Sequence, residues 1–308
     1  MSDSVDVIFK KRKGLTTLAI YEIRAIIEDC RSWVCGGLKA GIDIWELVVL
    51  PKLLFNSGCW MDISDNTTQE FEEIQLKYYR CLFAVGSGCP ILSLYWETGG
   101  ILMKHRILHS KLLLLHHVAT LGEDTLAREI YEVQKELNLP GLHLECRNFL
   151  VNTGVTDLKK YTPTQWKKFV KTEVLKANRN DILNLMKKPY KKISHSDHVQ
   201  EELKLQPYLQ DLSIPEARLK FKLKTGMTPT VRMNFPSDTE FARKLWTCPG
   251  CSEDKAEHDT VEGMRDTQAH ILICPGYADL RQDKDLSSDK DLVGYFRLVM
   301  NKRLESVD

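Results

Sequence analysis

Apolar residues recur at intervals of three and four positions along the first half of the chain. This spacing places them on one face of an α-helix, whereas a half-buried strand requires strict alternation. Glycine or proline, which terminate helices, follows each stripe. The pattern predicts a mainly α protein whose residues 1–150 form a helical bundle. The stripes are Ile20, Ile23, Ile27, Cys30 and Val34; Phe71, Ile74, Tyr78, Leu82 and Val85; and Leu126, Ile130, Val133 and Leu137.

Two further segments of this half are strongly apolar. Residues 42–55 are predicted to form a buried helix that is kinked or stopped at Pro51, because proline has no N–H for the helical hydrogen-bond ladder. Residues 101–121 are predicted to form a long helix, on which His105, His109 and His116 share a narrow sector. No carboxylate or thiol accompanies these histidines, so we interpret them as polar residues at the edge of the core rather than as metal ligands.

Residues 151–235 are interpreted as a basic helical linker. Between residues 159 and 192 lie eleven basic and two acidic residues, a net charge of +9 within a chain whose total is +1. Thr162, Pro163 and Gln165 form a capping-box pattern with proline at the first helical position, which predicts the start of a helix. Pro189 is predicted to end that helix.

A segment with this density of positive charge repels itself unless it binds an anion, and lysines on phosphates gain affinity by releasing counterions. We therefore predict nucleic acid, either RNA or DNA, as the partner of this segment and of a second basic run, residues 218–224. That run fits a strand with one basic face or, as we prefer, a helix capped by Gly226. The predicted contacts are Lys159, Lys160, Lys167, Lys168, Lys171, Lys187, Lys188, Lys191, Lys192, Arg218, Lys220, Lys222 and Lys224.

Aromatic residues are interleaved with these lysines. They either stack on bases or pack in the core, and core packing is the more frequent role for aromatics at helical spacing. We therefore favour the core for this group. It comprises Tyr161, Trp166, Phe169 and Tyr190.

Residues 236–308 contain the pattern C-x2-C-x18-H-x3-C, formed by Cys248, Cys251, His270 and Cys274. Close ligand pairs separated by a loop are how a short chain surrounds zinc with a tetrahedron of sulfur and nitrogen. His258 is an alternative to His270, but His270 and Cys274 would share one face of a helix. Four protein ligands close the coordination sphere, so the predicted zinc is structural. The sequence thus predicts a small zinc-stapled module followed by a charged tail.

Sequence signatures of several enzyme classes are absent. The chain has no adjacent aspartate pair, no glycine-rich phosphate loop, no G-x-S-x-G and no H-E-x-x-H, so we expect no enzyme activity from this chain alone. An odd number of cysteines, nine, without a signal-peptide pattern predicts a reducing compartment. The basic run Lys10–Lys13 slightly favours the nucleus over the cytoplasm. No apolar tract is long enough to span a bilayer, so no membrane association is expected.

Several segments, taken in order, resemble the region that follows the polymerase motifs in reverse transcriptases of non-LTR (LINE-type) retrotransposons. Residues 44–56 with Trp60 resemble a block that ends in tryptophan, and residues 71–85 resemble a helix that leads to a proline, here Pro90. Residues 218–226 are similar to the element upstream of the zinc knuckle. The four predicted zinc ligands, with the residues up to Arg281, resemble that knuckle. The similarity runs from about Leu15 to Arg281.

This resemblance implies the thumb, linker and zinc-knuckle part of such a polyprotein, which helps to hold template RNA and target DNA. The catalytic aspartates of the family lie in the fingers and palm, and none of their motifs occurs here. The resemblance therefore implies no polymerase activity for this chain, and a polymerase part supplied, if at all, by another chain. The competing hypothesis is a zinc-stapled helical adaptor that binds proteins through its apolar stripes and uses its lysines only for solvation.

Overall fold

The computed structural model of the protein describes residues 37–186, 203–225, 271–272, 274–282 and 284–305, together with Gly14 and Met227. Throughout these ranges the regular elements are helices and there is no β-strand, which confirms the predicted mainly α class. No helix in the same ranges is long and apolar enough to cross a bilayer. The helices are α1 (Gly37–Ile44), α2 (Leu50–Leu53), α3 (Asp65–Phe83), α4 (Ile91–Thr98), α5 (Met103–Ala119), α6 (Leu126–Glu136), α7 (Leu142–Thr153), α8 (Pro163–Met186), α9 (Tyr208–Asp211), α10 (Ile214–Lys224), α11 (Ala278–Arg281) and α12 (Asp289–Glu305).

Several predicted features lie outside the described residues. They include the first apolar stripe, the basic run Lys10–Lys13 and most of the zinc pattern. For these the sequence predictions stay predictions. The individual residues outside are Lys187, Lys188, Pro189, Tyr190, Lys191, Lys192, Gly226, Cys248, Cys251, His258 and His270.

The apolar segment around Pro51 continues as a helix instead of stopping. A π-helical segment, Trp45–Val49, separates α1 from α2, and the N–H of Leu50 bonds to the carbonyl of Trp45 five residues earlier. The wider turn accommodates the proline, which has no N–H of its own. The change of helix type thus falls directly before Pro51, and the predicted kink stays a prediction.

The first core surrounds Trp45, whose side chain is fully buried. Its ring stacks on that of Tyr78 at 4.7 Å between centroids, and its Nε1 donates to Gln75 Oε1 at 3.2 Å. The amide of Gln75 in turn donates to Tyr95 Oη and to the carbonyl of Ile101, both at 3.0 Å. Because every polar atom of this buried amide has a partner, it joins the π-helical segment, α3 and α4 without leaving an unsatisfied group of its own.

Helices from the last part of the chain complete the same core. Phe221 of α10 stacks on Phe83 of α3 at 4.0 Å between ring centroids. The segment that we described as a charged tail contains α12, whose buried face packs beside α10. That burial follows from an apolar stripe within its charged sequence. The buried residues of α12 are Val293, Tyr295, Phe296 and Val299.

A second core lies between α5, α6, α7 and the first half of α8. Cys146 on α7 and Val170 on α8 are fully buried in it, so this core combines residues from both sides of position 150. Helix α8 extends beyond it, and Ile182 is buried in the first core. The division of the chain at residues 150 and 235 stays a prediction.

Candidate nucleic-acid interface

Five predicted contact residues at the start of the basic segment lie on two consecutive elements, and we call them together the lysine face. It consists of Lys159 and Lys160 on the 3-10 turn Leu158–Lys160 and of Lys167, Lys168 and Lys171 on α8. All five side chains are exposed. Helix α8 has 24 residues, which corresponds to about 36 Å of length.

A reciprocal pair of hydrogen bonds fixes the junction between the turn and the helix. The N–H of Gln165 donates to Thr162 Oγ1 at 3.3 Å, and the N–H of Thr162 donates to Gln165 Oε1 at 3.0 Å. This is the capping box predicted from the sequence, and α8 begins at Pro163 as expected. The box fixes the start of α8, the helix that carries Lys167, Lys168 and Lys171.

The aromatic residues of this segment support the lysine face from beneath. Trp166 is buried, and its Nε1 donates to the carbonyl of Leu112 on α5 at 2.8 Å. The ring of His116 stacks on it at 5.5 Å between centroids, while His116 Nε2 lies 2.9 Å from the carbonyl oxygen of Tyr161. The favoured core role is thus confirmed for Trp166, whose ring has no free surface for a base.

The positive charge of the lysine face is not neutralised by nearby carboxylates. Among the described residues none of the five lysines has an ion pair, and the nearest pair on α8 joins Lys176 to Glu173 at 3.8 Å. Burial, followed by the positive charges of Lys167 and Lys171, lowers the pKa of His109 on α5. The field of these lysines therefore reaches the neighbouring helix.

The second basic run behaves differently. It forms a helix, as preferred, but its side chains are only partly exposed. Arg218 donates to the carbonyl of Leu82 at 2.9 Å, Lys220 pairs with Asp289 at 2.5 Å, and Lys224 pairs with Glu97 at 2.8 Å. These three cations already hold α10 against α3, α4 and the start of α12.

Lys222, the fourth basic residue of α10, is also partly sequestered. Burial, and then the nearby charge of Arg218, lower the pKa of Lys222. A partly buried lysine in this position contributes less to a phosphate-binding surface than an exposed one. Of the two basic runs, the lysine face therefore offers the more accessible positive charge.

Cys274 is the one predicted zinc ligand that lies within the described residues. It is fully buried, and its carbonyl accepts the N–H of Tyr277 at 3.2 Å and Arg281 Nη1 at 2.8 Å. A cysteine sulfur in a tight turn and shielded from solvent suits a structural zinc ligand, and a nearby guanidinium suits a site with three thiolates. Zinc held there would join the turn to the preceding segment.

The three histidines of α5 are not brought together around a metal. His105 Nε2 lies 2.9 Å from Asp181 Oδ2 on α8, and His116 bonds to a backbone carbonyl. Burial lowers the pKa of His105, and the hydrogen bond to Asp181 opposes this shift only in part. In the part of the chain that the structure describes, no three potential ligands form a metal group. His105 and His116 are buried, so they lie inside the core rather than at its edge.

A cleft that the sequence did not suggest lies between α6, α7 and residues 154–159. It has a volume of about 370 Å³, and basic side chains from three separate elements line it. No local sequence pattern predicts such a site, because its residues are brought together only by the packing of α6 on α7. We call it the α6–α7 cleft.

The predicted apolar stripe of α6 forms on a helix, yet it faces solvent. Its leading residue, Leu126, is 71% exposed, while Arg128 and Tyr131 are the buried residues of the helix. Exposed apolar patches of this kind mark interaction surfaces. The remaining members of the exposed stripe are Ile130, Val133 and Leu137.

The chain was compared with protein-family models, curated proteins and solved structures, and none of them matches it. The described residues define a mainly α protein with two helical cores.

Proposed function

We propose that the chain binds nucleic acid through the lysine face and corresponds to the thumb, linker and zinc-knuckle part of a retrotransposon reverse transcriptase. The single observation that carries this proposal is the group of five exposed lysines without ion-pair partners on one turn and one helix. Unneutralised lysines in a row favour a polyanion, because each phosphate contact releases counterions. Affinity should therefore depend strongly on salt and weakly on sequence.

The zinc site belongs to this proposal as a structural element. Cys248, Cys251, His270 and Cys274 hold one zinc, which stabilises the last part of the chain and does not take part in chemistry. The protein has no polymerase activity by itself, since its sequence contains no pair of adjacent aspartates. We place it in the nucleus or cytoplasm, where thiolates stay reduced.

The test is a binding series on single-stranded RNA and duplex DNA across salt concentrations. If all five lysines contact phosphates, the slope of log K against log salt should be about −3.5 for single strands and about −4.5 for duplex DNA. The double variant Lys167→Gln/Lys171→Gln should reduce the slope on RNA by about 1.4. A flat slope in the wild-type protein would refute the proposal.

A matched control separates this surface from general charge effects. Lys52→Gln/Lys290→Gln removes the same charge from two exposed lysines away from the lysine face. Its slope should equal that of the wild-type protein. If both double variants lose affinity equally, binding depends on total charge and not on this face.

The exposed stripe of α6 favours a second candidate function, the helical protein–protein adaptor. Leu126 and Ile130 are 71% and 48% exposed, and their helix carries the acidic residues Glu129 and Glu136 beside the stripe. If no nucleic acid is retained at physiological salt and Ile130→Asp abolishes a specific protein association, this function replaces the first. An exposed apolar residue on α12, Leu298, provides the control substitution Leu298→Asp.

A further inference from the structure

The α6–α7 cleft combines an apolar wall with an excess of positive charge. Four arginine and lysine side chains line it, against the carboxylates of Glu132 and Asp157. The side chain of Leu150 and the ring of Tyr131 supply apolar surface. A volume of about 370 Å³ lies in the range of small-molecule sites, which also pair apolar walls with a few polar groups. The cations are Arg128, Lys135, Arg147 and Lys159.

Two nitrogen atoms of the cleft residues lack hydrogen-bond partners. Arg128 is only 8% exposed and pairs through Nη2 with Glu132, but its buried Nη1 has no acceptor. His143 likewise leaves its Nδ1 without a partner. A buried guanidinium nitrogen without an acceptor is costly, so a ligand oxygen that reached it would gain more than one that replaced an existing bond. Of the two atoms, Arg128 Nη1 is always a donor, so it is the one that lacks an acceptor.

The electrostatic environment of His143 is consistent with a cleft that is positive before a ligand arrives. The pKa of His143 is lowered, mainly by burial and then by the positive charges of Lys135 and Arg147. The negative charge of Glu132 opposes this shift only in part. The two carboxylates are also committed within the protein. Glu132 pairs with Arg128, and Asp157 accepts the N–H of Lys159 at 2.9 Å.

We propose that the α6–α7 cleft binds the phosphate of a phosphomonoester that carries an apolar or aromatic body. The phosphate presents three acceptor oxygens and nearly two negative charges, which match the exposed cations Arg147 and Lys159, with the buried guanidinium of Arg128 in the wall behind them. The body of the ligand contacts Leu150 and Tyr131. This site is separate from the proposed nucleic-acid function, except that Lys159 borders both surfaces.

The experiment measures binding of phenyl phosphate and of inorganic phosphate to the full chain by phosphorus NMR, and binding of phenol, as a second comparison ligand, by proton NMR. Saturable binding of phenyl phosphate that exceeds the binding of either comparison ligand is expected. Arg147→Gln removes an exposed cation of the cleft. It should lower the affinity for phenyl phosphate about tenfold, which is the effect of one lost charge-assisted hydrogen bond. The absence of saturable binding at millimolar concentrations would overturn the proposal.

Lys160→Gln is the matched control, since Lys160 is exposed beside Lys159 but does not line the cleft. This variant should lower the affinity for RNA and leave the affinity for phenyl phosphate unchanged. The proposal for the cleft and the proposal for the lysine face can therefore fail independently of each other. An equal loss of affinity for phenyl phosphate in Arg147→Gln and Lys160→Gln would also overturn the proposal. The phosphate could belong to a small molecule or to the end of a nucleic acid. Comparing the binding of an oligonucleotide that carries a terminal phosphate with the binding of one that lacks it distinguishes these two sources.

Discussion

Replacing Glu72 with glutamine is expected to stabilise the protein at neutral and alkaline pH and to leave its stability near pH 4.5 unchanged. Glu72 lies on α3, and its Oε2 accepts the N–H of Met103, the first residue of α5, at 2.7 Å. Its Oε1 is buried and has no partner. The variant keeps an oxygen for Met103 while removing the charge.

The magnitude follows from the proton affinity of this carboxyl. Burial raises the pKa of Glu72 from 4.5 to about 7, and the hydrogen bond from Met103 and the charges of Arg106 and Lys104 only partly oppose it. Because a tenfold change in proton affinity corresponds to about 1.4 kcal/mol, Glu72 changes the free energy of unfolding by up to about 3 kcal/mol.

The sign is set by the raised pKa in the folded state. The folded protein holds the proton more tightly than the unfolded chain, so this stabilisation is fully present below pH 4.5 and is lost as pH rises through 7. His105 and His109, whose pKa values are lowered, contribute the opposite slope. That slope is common to the wild-type protein and the variant and cancels in their difference.

The assay is chemical denaturation of both proteins at intervals between pH 4.5 and pH 8.5. Glu72→Gln should equal the wild-type protein at the acid end and exceed it by up to about 3 kcal/mol above pH 7. Glu73→Gln is the control, since Glu73 is the exposed neighbour on the same helix. A difference that does not vary with pH, or one that Glu73→Gln reproduces, would refute the burial of an uncompensated carboxyl.

Three further predictions concern backbone fit, a buried hydrogen bond and the metal. Gly99 and Gly154 both have left-handed φ, 66° and 69°, but an added Cβ meets backbone at 2.8 Å only at Gly99. In denaturation, Gly154→Ala should cost about 1 kcal/mol and Gly99→Ala clearly more; equal costs would contradict the close approach. Trp166→Phe should lower the free energy of unfolding by about 1 kcal/mol, because the carbonyl of Leu112 loses the hydrogen bond from the indole N–H; an unchanged free energy of unfolding would contradict that bond. Elemental analysis should find one zinc per chain, lost in Cys251→Ser; zinc retained in the variant would exclude Cys251 as a ligand.

Features encoded by residues close in sequence were predictable. The start of α8 is fixed by Thr162, Pro163 and Gln165, which lie within four positions and make the bonds that the pattern implies. The exposed lysines that follow were equally visible from local charge. The change of helix type before Pro51 appeared in the sequence only as a kink, because several backbone adjustments can accommodate a proline.

Features that depend on distant partners were not predictable. Lys220 and Lys224 look like the other lysines in sequence, but their partners Asp289 and Glu97 are 69 and 127 positions away. The stripe of α6 has helical spacing, which does not reveal whether another helix covers it. The α6–α7 cleft draws its residues from three elements, so only their packing brings these charges together.

Helix α8 carries the lysine face and is anchored in both cores, with Trp166 in one and Ile182 in the other. Between them, the buried Asn178 accepts the N–H of Leu102 at 2.9 Å and donates to the carbonyl of Gly100 at 3.2 Å. Neither core can open without disturbing this helix, so the two should unfold as one cooperative unit and the amides of α8 should exchange among the slowest. A polyanion bound to the lysines of α8 would thus raise the melting temperature of both cores together.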